Sequence, residues 1–167
     1  MLQRKNEMNR EKYEFAYRGI KEESSLHFYF SGREDCEPGH SFGPAVRNQY
    51  LLHFVTRGKG IYRVRDIEFE VKPGEVFLIY PGDITVYRAD YDDPWTYRWM
   101  AFHGNEAETI MKRCGFTREC PVIDYAQGDA ERKERVDTLL LELIRRTAGK
   151  MQGEYGLKGY LYLIFEE

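Results

Sequence analysis

Apolar and polar positions alternate with a period of two through the middle of the chain. Tyr50 to Arg57 (YLLHFVTR), Ile61 to Arg65 (IYRVR), Ile67 to Val71 (IEFEV), Val76 to Tyr80, Ile84 to Ala89 and Thr96 to Phe102 each have the length and the β-branched or aromatic content of a strand. Gly58-Lys59-Gly60, Lys72-Pro73-Gly74-Glu75 and Pro81-Gly82-Asp83 separate them as turns. Short strands broken by Gly/Pro turns every ten residues or so (about 8–12) predict a sandwich or a closed barrel. Closure removes exposed sheet edges, which favours a barrel or jelly roll. Upstream, Ser25 to Ser31 alternates weakly and is expected as a first strand. Gly32 to Asn48 is expected as a turn-rich stretch, and residues 1–24 as a loosely ordered arm.

After Gly104 the period lengthens. Asn105 to Glu108 has the form of a capping box, Ala107, Ile110, Met111 and Cys114 recur at helical spacing, and Gly115 can stop the helix. Asp129 opens a second helix, whose apolar stripe is Val136, Leu139, Leu140, Leu143 and Ile144. Arg145, Arg146 and Gly149 suit its end. Leu157, Tyr160, Leu161 and Ile164 mark a third helix over Tyr155 to Glu167. The fold class is therefore mostly β with C-terminal α-helices.

Composition narrows the function. The 167 residues are enough for one domain with a real core. Thirteen Tyr and ten Phe favour strands and aromatic-lined pockets. The net charge of −3, from 25 basic and 28 acidic residues, lacks the basic stripe of a duplex-binding module. The segment is expected not to bind DNA by itself. No apolar run approaches the ~18 residues of a membrane span, and Met1 to Arg10 lacks the apolar stretch of a signal peptide. Cys36, Cys114 and Cys120 form no C-x-x-C pair and fit reduced thiols in a cytoplasmic protein.

Three stretches carry a composite signature: CEPGHSFGPAVRNQYLLHFVTRGKGIYRV, KPGEVFLIYPGD and YRADYDDPWTYRWMAFHG. Together they resemble the N-terminal sensor domain of AraC-type transcription regulators, notably those of sugar-utilisation operons. The resemblance is strong over Ser25 to Gly104 and weaker in the helices. It implies a cupin-type, jelly-roll-like barrel that binds a small effector, often a sugar, followed by a helical segment that dimerises. It also implies a C-terminal domain with two helix-turn-helix motifs, through which DNA would be bound. On this expectation the chain holds an arm (1–24), a ligand-binding barrel (25–104) and a helical dimerisation and linker segment (105–167), with the DNA-binding domain absent.

The candidate site follows partly from residue types and partly from the resemblance. Enzymatic cupins hold a metal through His-x-His, a following Glu and a later His. Here His53 stands alone, with Val55 in the partner position, and Ile84-Thr85-Val86 follows the later turn. Imidazole and carboxylate ligands are what such a centre needs. No metal or other cofactor is therefore expected at that place, and no catalysis. A metal-dependent isomerase or dioxygenase is the alternative, and a barrel used only for oligomerisation is a third. Trp95, Tyr97 and Trp99 share one face of the last strand, and Thr96, Arg98, Met100 and Phe102 the other. Flat rings suit the C–H faces of a sugar, and their N–H and O–H groups can bond its hydroxyls. In the related sensors the pocket uses aromatic positions matched by Tyr87, Tyr97 and Trp99, and an arginine near Arg33. Trp95 reads as core. His40, Phe42 and Arg47 are expected to fold across the barrel mouth, where Arg47 either clamps an anionic group or anchors the loop. His53 either lines the pocket or is a satisfied core histidine. The stripe from Val136 to Ile144 either packs on the barrel or forms a homodimer seam, and the resemblance implies the seam.

Overall fold

The computed structural model describes residues 13–17, 26–149 and 153–167. Among the described residues ten strands run in the order β1 (Tyr13–Tyr17), β2 (His27–Asp35), β3 (Ser41–Val46), β4 (Tyr50–Arg57), β5 (Gly60–Val64), β6 (Ile67–Val71), β7 (Glu75–Ile79), β8 (Ile84–Ala89), β9 (Thr96–His103) and β10 (Val122–Asp124). Helix α1 (Ala107–Arg113) precedes β10, and α2 (Ala130–Ala148) and α3 (Glu154–Glu166) follow it. A six-stranded sheet has the order β1-β2-β9-β4-β7-β10, and a four-stranded sheet the order β3-β8-β5-β6. Every ladder between these strands is antiparallel. This is the jelly-roll-like, mostly β architecture with C-terminal helices expected from the alternation.

Two apolar layers follow from period-two strands covered on both faces. Leu51, Val55, Tyr62, Phe77, Tyr87, Tyr97 and Trp99 point between the sheets. Leu52, Phe54, Leu78, Met100 and Phe102 point the other way, toward the helices. Strand β4 therefore buries five consecutive residues, Leu51 to Val55, rather than every second one. The floor of the interior is a stack of rings. Tyr62 lies 4.6 Å from Phe77, and Phe77 lies 5.7 Å from Trp95. Trp95 is the core residue it was expected to be. Gly60 packs so closely on its ring that a Cβ there would overlap it, which explains a glycine inside a strand.

Helices α2 and α3 close the outer face. Asp129 caps α2 by accepting from the Glu131 and Arg132 amides, as the sequence suggests. Val136, Leu140, Leu143 and Ile144 are buried within the chain, with Leu157, Leu161 and Ile164 of α3 beside them. Four of the five stripe residues are thus taken up by packing on the barrel. Leu139 alone stays half-exposed, so a homodimer seam would need other side chains.

Three local expectations need correction. Gly32 to Asn48 is largely extended: β2 runs on to Asp35 because it pairs with β9 along its length, and β3 pairs with β8 around a bulge between Phe42 and Ala45. Tyr13–Tyr17, inside the expected arm, is a strand on the free edge of β2, and the rest of that arm lies outside the described residues. The capping box at Asn105 does not form. Glu106 is the N-cap without a side-chain bond, and Glu108 instead pairs with Lys112, 2.8 Å away.

Candidate functional site

At one end of the barrel the interior turns polar. Glu34 enters from β2, Cys36 from just past its end, His40, Phe42 and Arg47 from the β2–β4 region, His53 from β4, Tyr87 from β8, and Tyr97 and Trp99 from β9. His53 is the hub. Its ring stacks on Phe77 at 4.6 Å and lies 4.9 Å from both Tyr87 and Tyr97 and 6.1 Å from Trp99. It is 2% exposed, and its Nδ1 has no hydrogen-bond partner among the described residues. Burial, reinforced by the nearby Arg47 cation, pushes its pKa down to about 3. His53 is therefore neutral at ordinary pH and offers a hydrogen-bonding edge, not a charge.

The rim supplies the charge. The Arg47 guanidinium sits 4.5 Å above the Phe42 ring, and its charge acts on the Tyr87 hydroxyl. Phe42 in turn stacks on Tyr87 at 5.4 Å. Burial drives the Tyr87 hydroxyl up to about 12, with Arg47 opposing the shift. Opposite them, the Tyr97 hydroxyl donates to Glu34 Oε2 at 3.1 Å, and His40 Nε2 lies 3.4 Å from Glu34 Oε1. Cys36 is buried beside them. Burial and the Glu34 carboxylate push its thiol up to about 12, and its contact with Tyr97 partly offsets this.

Seven of the eight residues expected to bind an effector come together here: His40, Phe42, Arg47, His53, Tyr87, Tyr97 and Trp99. Arg33 does not join them. In the β2–β9 ladder Arg33 stands opposite Arg98 while Glu34 stands opposite Tyr97. Directly paired residues share a face, so Arg33 lies on the helix side and its neighbour Glu34 on the barrel side. Sequence reading missed Glu34 and Cys36. Treating 32–48 as turns hid the alternation that puts them on one face.

The usual cupin metal position does not fit a metal. His53 is packed among Phe77, Tyr87 and Tyr97, and the positions that would supply further ligands hold Val55 and Thr85, both buried. The site can instead offer ring faces, one neutral imidazole edge, phenol hydroxyls and an arginine. That set suits a neutral or weakly anionic polyhydroxylated molecule.

An aromatic-lined barrel with helices packed on one sheet has the architecture and side-chain chemistry of a small-molecule binding domain. Residues 27–162 match the family of the AraC-like ligand binding domain, and the chain belongs to that family. It is 42% identical over 83 residues to the Msm operon regulatory protein of Streptococcus mutans, covering 49% of this chain and 30% of that protein. It is 32% identical over 102 residues to the raffinose operon transcriptional regulatory protein RafR of Pediococcus pentosaceus, covering 59% and 37%. The matched stretches thus span well under half the length of these relatives. Among solved structures the chain is similar to a Cupin 2 conserved barrel domain protein from Salinispora arenicola, at 12% identity and a TM-score of 0.45, covering 60% of this chain and 82% of that one. No helix among the described residues is long and apolar enough to cross a membrane.

Proposed function

We propose that the barrel is the effector-sensing module of a cytoplasmic transcription regulator, that its effector is a carbohydrate, and that it is not an enzyme. The observation that carries this reading is the unpartnered, neutral Nδ1 of His53 enclosed by Tyr87, Tyr97 and Trp99 beneath Arg47. A buried polar atom without a partner costs roughly 1–3 kcal/mol. A ligand hydroxyl would recover that cost, and the rings would cover the C–H faces of the sugar. The relative named for the raffinose operon supports the same reading.

The route to the rest of the protein runs through β9. Tyr97 and Trp99 face the effector side, and Arg98 between them reaches out to Asp137 of α2, with Nη1 and Oδ1 2.8 Å apart. An effector that shifts Tyr97 or Trp99 moves the strand that holds this pair. A ligand can bias α2 only by its differential affinity for two arrangements, typically about 1–3 kcal/mol. DNA binding would belong to a separate domain. Homodimerisation would use the open groove between α2 and α3, where Leu139 and exposed Leu163 lie beside Arg135 and Glu167. Sedimentation of the chain and of L163K tests that face: a dimer lost in L163K supports it, and a monomer in both rejects it.

Calorimetric and thermal-shift screening with mono- and disaccharides tests the sensor reading. A saccharide that raises the melting temperature saturably supports it. If no saccharide in the panel binds, the carbohydrate assignment fails. Turnover of a bound sugar by the isolated chain would favour the enzyme alternative.

A further inference from the structure

The rim of the barrel holds a cluster whose metal-ligating chemistry the effector reading leaves unused. The ligating atoms of Glu34, Cys36 and His40 all lie within 4.8 Å of one another. They comprise a carboxylate oxygen, a thiol sulfur and an imidazole nitrogen, a borderline-soft set of the kind that selects zinc over calcium or magnesium. In a tetrahedral zinc centre, bonds of about 2.0–2.3 Å place ligand atoms roughly 3.5 Å apart. His40 and Glu34 already stand at 3.4 Å, so small side-chain rotations would complete the triangle.

The backbone holds all three positions. Glu34 is locked into the ladder opposite Tyr97. Cys36 donates its amide to the Trp95 carbonyl at 3.1 Å. His40 bonds through its amide to Glu37 and through its carbonyl to the Ala89 amide. Between them Gly39 takes a positive φ of 69°, and this turn carries His40 back over Glu34. The scaffold is therefore set before any ion arrives. The cluster is separate from the His53 position where cupin metals sit, and it uses β2 and the turn that follows rather than β4 and β8.

We propose that Glu34, Cys36 and His40 form a binding site for a thiophilic divalent cation of the zinc class, with its fourth position directed at Tyr97 and the barrel interior. The Tyr97 hydroxyl already reaches Glu34 Oε2, so a water or an effector hydroxyl in the fourth position would meet it there. Binding displaces the thiol proton to solvent and forms a metal–sulfur bond, with no change of oxidation state. The site couples the metal to the effector pocket through Tyr97 without taking part in any reaction.

The test is cobalt(II) and zinc titration of the reduced chain, with zinc stoichiometry from equilibrium dialysis and elemental analysis. One zinc per chain is expected. The cobalt form is expected to show tetrahedral visible bands and a thiolate-to-cobalt charge-transfer band. C36S should abolish the charge-transfer band. H40Q should weaken zinc binding by about a hundredfold, since even outer-shell changes cost 10–100-fold. The His40 side chain is 41% exposed, so H40Q tests the site without disturbing the core. C120S, which removes an exposed thiol elsewhere, should change nothing. Absence of stoichiometric zinc would overturn the proposal. So would a charge-transfer band that survives C36S or vanishes in C120S. These readouts do not depend on any sugar, so a failed sugar screen leaves them standing.

Discussion

His53 makes the barrel acid-sensitive by an amount that can be worked out. In the folded chain its pKa is about 3, because the ring is buried among Phe77, Tyr87 and Tyr97 and lies near the Arg47 cation. In the unfolded chain it returns to an ordinary value of about 6.5. Between these two values the unfolded state binds a proton that the folded state refuses. Stability is therefore full above about pH 6.5 and falls as the pH drops toward 3. At pH 4.5 the unfolded histidine lies about two units below its own pKa, which costs the fold about 2.7 kcal/mol relative to pH 8. Carboxylates also titrate in this range, so the measurement is a difference. Urea unfolding of the wild type and of H53F should be compared at pH 8, 6 and 4.5. A phenyl ring can keep the stack on Phe77 and does not titrate. The wild type should lose about 2.7 kcal/mol more than H53F between pH 8 and 4.5. Equal losses in both proteins would refute the buried, neutral histidine.

Other perturbations separate the two layers of the fold. Leu140 is fully buried against the sheet, so L140A should cost about 2–5 kcal/mol in urea unfolding, and a loss under 1 would contradict its place in the core. Ser31 and Thr147 share a buried hydroxyl bond of 3.0 Å between β2 and α2, but Thr147 also donates to the Ile144 carbonyl. T147V strands the fully buried Ser31 hydroxyl and should cost roughly 1–3 kcal/mol, whereas S31A leaves Thr147 bonded and should cost less. The reverse order would contradict this arrangement. D137A leaves the half-buried Arg98 without its carboxylate and should lower stability by about 1–3 kcal/mol, with D137A/R98L recovering part of the loss in a double-mutant cycle.

The central strands were legible because both of their faces are covered and their turns are marked by Gly and Pro. Tyr50–Arg57, Ile67–Val71 and Ile84–Ala89 appear where the alternation placed them. Period two put Tyr97 and Trp99 on one face, and the family resemblance turned that face toward the pocket. The segment before β4 was not legible. Its Pro and Gly residues signal turns, yet long-range pairing with β8 and β9 holds it extended, and no local pattern announces that pairing. The same gap hid Glu34 and gave Arg33 the wrong face, since one residue of phase reverses every side chain. Strand β10 has three residues, too few for any periodicity, and exists only as a partner for β7. The helical stripe was visible, but periodicity cannot tell a barrel surface from a second copy of the chain.

The central claim is that Tyr97, Trp99 and His53 hold a carbohydrate at the barrel mouth. Isothermal titration of the chain with a saccharide panel, repeated on W99A and Y97F, tests it most directly. The account predicts saturable one-to-one binding of at least one saccharide. Y97F should weaken it about fivefold or more, the worth of one hydrogen bond, and W99A more strongly still. No binding across the panel, or binding unchanged by both substitutions, would contradict it.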